Sequence, residues 1–169
     1  INRCSDELCT SLRQKNLRLL NRRADIFLER EDGQGENYMD GTVSAFDLDQ
    51  DVIEIAGEDY GLWYVEIMDS PRMYEGKTLV FRAMMCKPPK YGRYFTPGRF
   101  AMVCCADDMS FLAVACIGYD VKDIPERTWV EVRAVCRVEH WDPYEGDGPV
   151  LHVESVTPCE KPKDEIVQM

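Results

Sequence analysis

The residues best suited to chemistry form one short run, Cys104-Cys105-Ala106-Asp107-Asp108. Thiolates and carboxylates together are soft and hard metal donors, and paired thiols are also a redox couple. In a regular strand adjacent side chains point to opposite faces, so Cys104 and Cys105 would diverge. They converge only where the strand ends or bulges, and Ala-Asp-Asp is a strand-end sequence. The sequence therefore offers Cys104, Cys105, Asp107 and Asp108 as candidate metal ligands. The competing reading is one core thiol, one partly buried thiol and two aspartates closing a turn. The other six cysteines are Cys4, Cys9, Cys86, Cys116, Cys136 and Cys159. They form no CxxC pair and no zinc-finger spacing. Cys86, Cys116 and Cys136 sit in apolar, strand-like runs and read as buried thiols.

Catalytic constellations are not legible. There is no nucleophile elbow, HExxH, P-loop or GxGxxG, and the two histidines, His140 and His152, read as surface imidazoles. The expectation is a protein that binds and does not catalyse. A second group of residues fits binding. Tyr91, Tyr94, Phe95, Trp141 and Tyr144 are aromatics in or beside loops, and Lys87, Lys90, Arg93 and Arg99 lie near the first three. Aromatics beside cations are the kit for stacking single-stranded nucleic acid. The balance of 31 Asp+Glu against 20 Lys+Arg, a net charge of −11, opposes it by repelling phosphates. Arg99, Tyr91, Tyr94 and Trp141 remain candidate contacts for a ligand or partner, with no nucleic acid expected.

These residues need a scaffold. The chain has 169 residues, 45% hydrophobic and 30% charged, enough for one domain with a real core and no disulfide staples. Residues 1–30 hold seven basic and four acidic residues, a net +3, so the other 139 carry −14. Ser5 is a candidate cap, and Leu17, Leu20, Ala24, Phe27 and Leu28 recur at helical spacing, which predicts a basic N-terminal helix. Thr42–Phe46 and Asp51–Ile55 read as short strands. A short amphipathic helix is predicted from Tyr60 to Asp69, begun by Asp59 and ended by Pro71. From Lys77 on, five strands are predicted, near 77–87, 99–105, 111–118, 128–138 and 150–156. His140 to Pro149 reads as a loop, and the tail after Pro158 as loosely held. The expected architecture is mainly β, a five-stranded OB-type barrel with a short helix before it and an N-terminal helix. The expected organisation is a basic helix and linker at 1–40, the barrel at 41–160 and a flexible tail at 161–169.

Four segments together resemble a known family. They are Pro71-x-x-Tyr74-x-Gly76-Lys77, Arg99-Phe100-Ala101-Met102-Val103-Cys104-Cys105-Ala106-Asp107, Thr128-Trp129-Val130-Glu131-Val132 and Gly148-Pro149-Val150-Leu151. In order and spacing they are similar to the C-terminal soluble domain of YcgQ-like subunits of two-component permeases, a domain of unknown function. The resemblance implies an accessory domain that contacts an integral-membrane permease subunit. It also implies a tether to the membrane through a segment that this chain lacks, with the cytoplasmic side favoured. Members are associated with zinc-responsive gene sets, so zinc sensing or delivery through Cys104 and Cys105 is the cofactor expectation. An OB-type module for single-stranded nucleic acid or a small ligand is the alternative.

Overall fold

The computed structural model describes residues 44–88, 94–102 and 109–168. The predicted N-terminal helix lies outside them, as do Thr42 and Val43. The described elements are β1 (Val52–Ile55), α1 (Tyr60–Asp69), β2 (Thr78–Met84), β3 (Tyr94–Phe95), β4 (Gly98–Met102), β5 (Met109–Ala113), β6 (Ala115–Ile117), β7 (Trp129–Trp141), β8 (Gly146–Pro158) and β9 (Ile166–Gln168). Short 3-10 turns at Pro71–Tyr74 and Asp142–Tyr144 join them.

Helix α1 begins and ends where the sequence predicts. The Trp63 N–H donates to the Asp59 carbonyl at 2.9 Å, and the Asp59 side chain makes no cap bond. Pro71 cannot continue the ladder. The helix is not amphipathic as expected. Only Leu62 and Asp69 are exposed, and Tyr60, Trp63, Tyr64, Val65, Glu66 and Ile67 are all buried. A helix buried on nearly every side belongs to the core. Buried Glu66 is satisfied by three donors: the Ser44 hydroxyl, the Tyr74 hydroxyl at 2.7 Å and the Ala45 N–H at 3.1 Å. That carboxylate draws residues 44–46 into a bend, where the sequence predicts strand.

The strands form one curled sheet, a half-barrel over α1. β2 runs along β7 in antiparallel register from Thr78↔Val135 to Met84↔Trp129, and β7 runs along β8. β8 pairs with β6 in parallel, and β6 pairs with β3. On its other side β2 takes β1 in parallel and meets β4 at Met84↔Gly98. β4 then pairs with β5 and, in parallel, with β9. The inward sets of these strands, among them Leu79, Phe81, Leu112, Val114, Val132, Ala134, Leu151 and Val153, close over the α1 aromatics. Trp63 lies 5.0 Å from Phe81 and 5.2 Å from Tyr60 between ring centroids.

Two glycines are required by geometry. Gly76 has φ +80°, which L side chains avoid, and its N–H donates to Cys136 O at 2.9 Å, docking the turn before β2 onto β7. A Cβ at Gly98 would stand 2.5 Å from Leu112 O, so only glycine lets β4 approach β5 there.

The sheet departs from the expected five strands in four places, the first being β3, which falls between two of the predicted strands and pairs with β6. The run 109–117 is split at Val114 into β5 and β6, because its first half pairs with β4 and its second with β8. The predicted loop 140–149 is mostly strand. The hairpin ladder continues to Trp141↔Gly146, and Glu145 at φ +53° closes a tight turn. The tail is held as well, since β9 lies along Phe100–Met102 and Val167 is buried.

Candidate interaction surfaces

The alternation of β4 decides what this part of the molecule offers to partners. Its residues run Gly98 buried, Arg99 buried, Phe100 exposed, Ala101 buried and Met102 intermediate. The arginine therefore points into the protein and the phenylalanine out of it. Arg99 is 2% exposed. Its guanidinium donates to the carbonyls of Gly57, at 2.8 Å, and Asp164. It lies 5.6 Å from the ring centroids of both Tyr60 and Trp129. Its Nε has no hydrogen-bond partner among the described residues. Burial lowers its pKa, with Tyr60 and Asp164 acting in the opposite direction. In this position Arg99 joins the turn after β1 to the segment before β9. The sequence offers it as a ligand or partner contact, and the fold turns it inward.

The outward half of the alternation makes a surface. Phe100 stands opposite Phe111 on β5 and Ile166 on β9. The two rings are 5.0 Å apart between centroids. Phe100 and Ile166 are each 40% exposed. Phe111 is half-buried, so the three strands carry an apolar row that is partly open to solvent, and contiguous exposed apolar surface can mark a contact site. Sequence reasoning missed it because a polar–apolar alternation assigns the arginine to water and the phenylalanine to the core.

A second surface lies where the end of β7 meets β3. Tyr94 and Trp141, both half-buried, meet edge to face with centroids 5.0 Å apart. Of the other predicted aromatics, Phe95 is in the core, and the Tyr144 hydroxyl accepts from the Ala115 N–H at 3.2 Å. Beside Trp141, the exposed His140 has its ring nitrogens 3.5 Å from Asp142 and 3.7 Å from Asp147. His152 Nε2 is 2.7 Å from Glu139. Lys87 Nζ donates to Lys122 O, so among the described cations Lys87 and Arg99 form no common stripe.

Cys104, Cys105, Asp107, Asp108 and Tyr91 lie outside the described residues, as do Lys90 and Arg93. Among the described residues no group of three or more His, Cys, Asp and Glu side chains could hold a metal ion. Cys116 and Cys136 are fully buried thiols. Burial raises both pKa values, that of Cys136 to about 12, which keeps them protonated and poor as metal ligands. No helix among the described residues is long and apolar enough to cross a membrane.

Comparison with known proteins adds a family to this geometry. Among solved structures, a chain assigned as an aspartyl-tRNA synthetase from Leishmania major Friedlin is similar at 12% identity and a TM-score of 0.35. The similarity covers 84% of this chain and 26% of that one, so this chain spans about a quarter of its length. No curated protein sequence matches. The profile described as the DUF1980 C-terminal domain, a domain of unknown function, matches residues 31–168. With most of its length matched, the chain belongs to the DUF1980 C-terminal domain family.

Proposed function

We propose that this chain is an interaction domain built on an OB-type barrel, serving as the soluble accessory part of a membrane permease complex. In this reading it is tethered to the membrane by a preceding segment, favours the cytoplasmic side, and acts by binding without catalysis. Support for the barrel comes from one circuit of pairings. It runs from β2 to β4 to β5, continues through Val114 into β6, and returns by β8 and β7 to β2. With β5 and β6 taken together as one bent strand, the circuit has five members, the third parallel to the fifth, which fits an OB connectivity.

The observation that carries the contact role is the apolar row of exposed Phe100, half-buried Phe111 and exposed Ile166. It lies on the strand that opens the Arg99–Asp107 run on which the resemblance to permease subunits rests. Burying such a row against a partner removes apolar surface from water at about 25 cal/mol per Å². The test is co-purification of the integral-membrane permease subunit with the full-length protein. The wild type is expected to retain it, and Phe100→Asp with Phe111→Asp to lose it while keeping the fold. No retention by the wild type, or equal retention by the double variant, would overturn the reading. Zinc sensing or delivery is an additional part of the proposal. The thiolates of Cys104 and Cys105, with the carboxylates of Asp107 and Asp108, would hold the ion, and metal analysis of the Cys104→Ser and Cys105→Ser variants tests it.

One observation favours a second reading, a module for a small ligand or a single strand. In OB-type barrels the loops joining the first two and the last two strands flank the binding face. Tyr94 lies in the connection from β2 to β4, and Trp141 at the turn from β7 to β8. Loss of ligand binding in Trp141→Ala, with the permease contact kept, would favour it.

A further inference from the structure

We propose that the free edge of β1 binds an extended, basic peptide segment of a partner protein by strand addition. Among the described residues the strand pairs on one side only, with β2. In that parallel ladder the Thr78 N–H donates to Asp51 O at 2.9 Å, and the register sets Val52 against Thr78 and Glu54 against Val80. In a parallel pair alternate residues bond to the neighbouring strand. The peptide groups of Val52 and Glu54 therefore face away from β2, and no described residue pairs with them. Their side chains are exposed, whereas Ile53 and Ile55 are buried, so the strand itself is well anchored. An open groove is lined by residues 45–47 and Gln50 on one side and 52–54 of β1 on the other.

Charge selects the occupant. From Ser44 to Pro71 the sequence holds eight carboxylates and no Lys, Arg or His. Glu66 is buried and bonded within the protein. Among the described residues Asp47 accepts from neutral donors, the Asp49 N–H at 3.1 Å and the Gln50 amide at 3.0 Å. Lys77 reaches no nearer than 4.0 Å to Asp51. Among the described residues Asp47 and Glu54 have no cationic partner and Asp51 has only the long contact to Lys77, so the described part of this edge is net negative. Natural edge strands carry charge to stop like edges pairing, so two copies of this edge repel. A strand with Lys or Arg at alternate positions instead gains backbone hydrogen bonds and opposite charge together. The apolar parts of Phe46 and Val52 offer contact to the residues between.

The test uses the full chain and three peptides of about ten residues: alternating Lys and Val, alternating Glu and Val, and alternating Lys and Gly. The Lys–Val peptide is expected to bind and to slow amide exchange at Val52 and Glu54 at least about tenfold. The Glu–Val peptide is expected not to bind. The Lys–Gly peptide, equal in charge but poor in strand propensity, is expected to bind at least about tenfold more weakly. Val52→Pro removes an edge N–H that the β1–β2 ladder does not use, and Glu54→Lys reverses the local charge. Each is expected to weaken Lys–Val binding at least about tenfold. Should Val52→Pro lose its circular dichroism spectrum, Glu54→Lys decides alone. Equal binding of the two lysine peptides, unchanged exchange at Val52 and Glu54, or wild-type affinity in the Glu54→Lys variant would overturn the proposal.

Discussion

At the scale of single residues, Arg99 and Glu66 show how this fold uses buried charge. Each is nearly inaccessible, and neither is half of a buried salt bridge among the described residues. Glu66 is met by hydroxyl and amide donors. Arg99 is met by two carbonyls and two aromatic rings. The planar fork of the guanidinium lets one side chain serve Gly57 and Asp164 together, a task that one ammonium cannot reproduce. Arg99→Met is expected to cost about 2–4 kcal/mol, because it removes the cation and leaves two carbonyls without their donors. Arg99→Lys is expected to recover less than half of that loss. Urea denaturation measures both, and an Arg99→Met variant within about 0.5 kcal/mol of wild type would refute the structural role.

Elements differ in how they are held. Helix α1 and the central parts of β7 and β8 follow their own sequence patterns, whereas β9 exists because β4 offers it an edge. Its two exposed-to-buried neighbours make a comparison within one strand. Val167 is 3% exposed and pairs with Ala101, while Ile166 is 40% exposed and pairs with Phe100. Val167→Asp is expected to cost at least about 2–4 kcal/mol by burying a carboxylate without partners. Ile166→Asp should stay within about 0.5 kcal/mol in stability yet weaken the proposed permease contact. Equal urea midpoints for the two variants would show that β9 does not pack as described.

For the molecule as a whole, the core is rich in groups that ionise only at high pH. Burial raises the thiols of Cys116 and Cys136, the latter to about 12, and the phenols of Tyr60, Tyr74 and Tyr144 above their ordinary range. The neighbouring Glu66 adds to the rise at Tyr74, which its bond to Ser44 opposes. In each case the unfolded chain releases the proton at a lower pH than the folded one. The stabilisation is complete below the unfolded pKa values and is lost as pH rises toward the folded ones. Stability against urea is therefore expected to fall from about pH 9 upward, by at most about 1.4 kcal/mol per pH unit for each group. Replacing Cys116 and Cys136 together by Ala should flatten the first part of that fall. A denaturation midpoint unchanged between about pH 8 and pH 11 would contradict the burial of these groups.

Local pattern alone determined a good deal of this protein. The bounds of α1, the predominance of strand and the strand cores near 78–84 and 129–138 all follow from periodicity and breakers. Those signals are short-range, so they survive without knowledge of neighbours. Tertiary structure decided the rest. Whether Arg99 or Phe100 faces inward depends on carbonyls far away in the chain, at Gly57 and Asp164. Whether residues 109–117 are one strand or two depends on which neighbours lie beside each half. The tail became a strand because β4 had a free side, and β1 kept an open edge because nothing described comes to pair with it. Backbone hydrogen bonding between strands is a long-range choice. The surfaces this protein presents to partners are set by that choice more than by any motif.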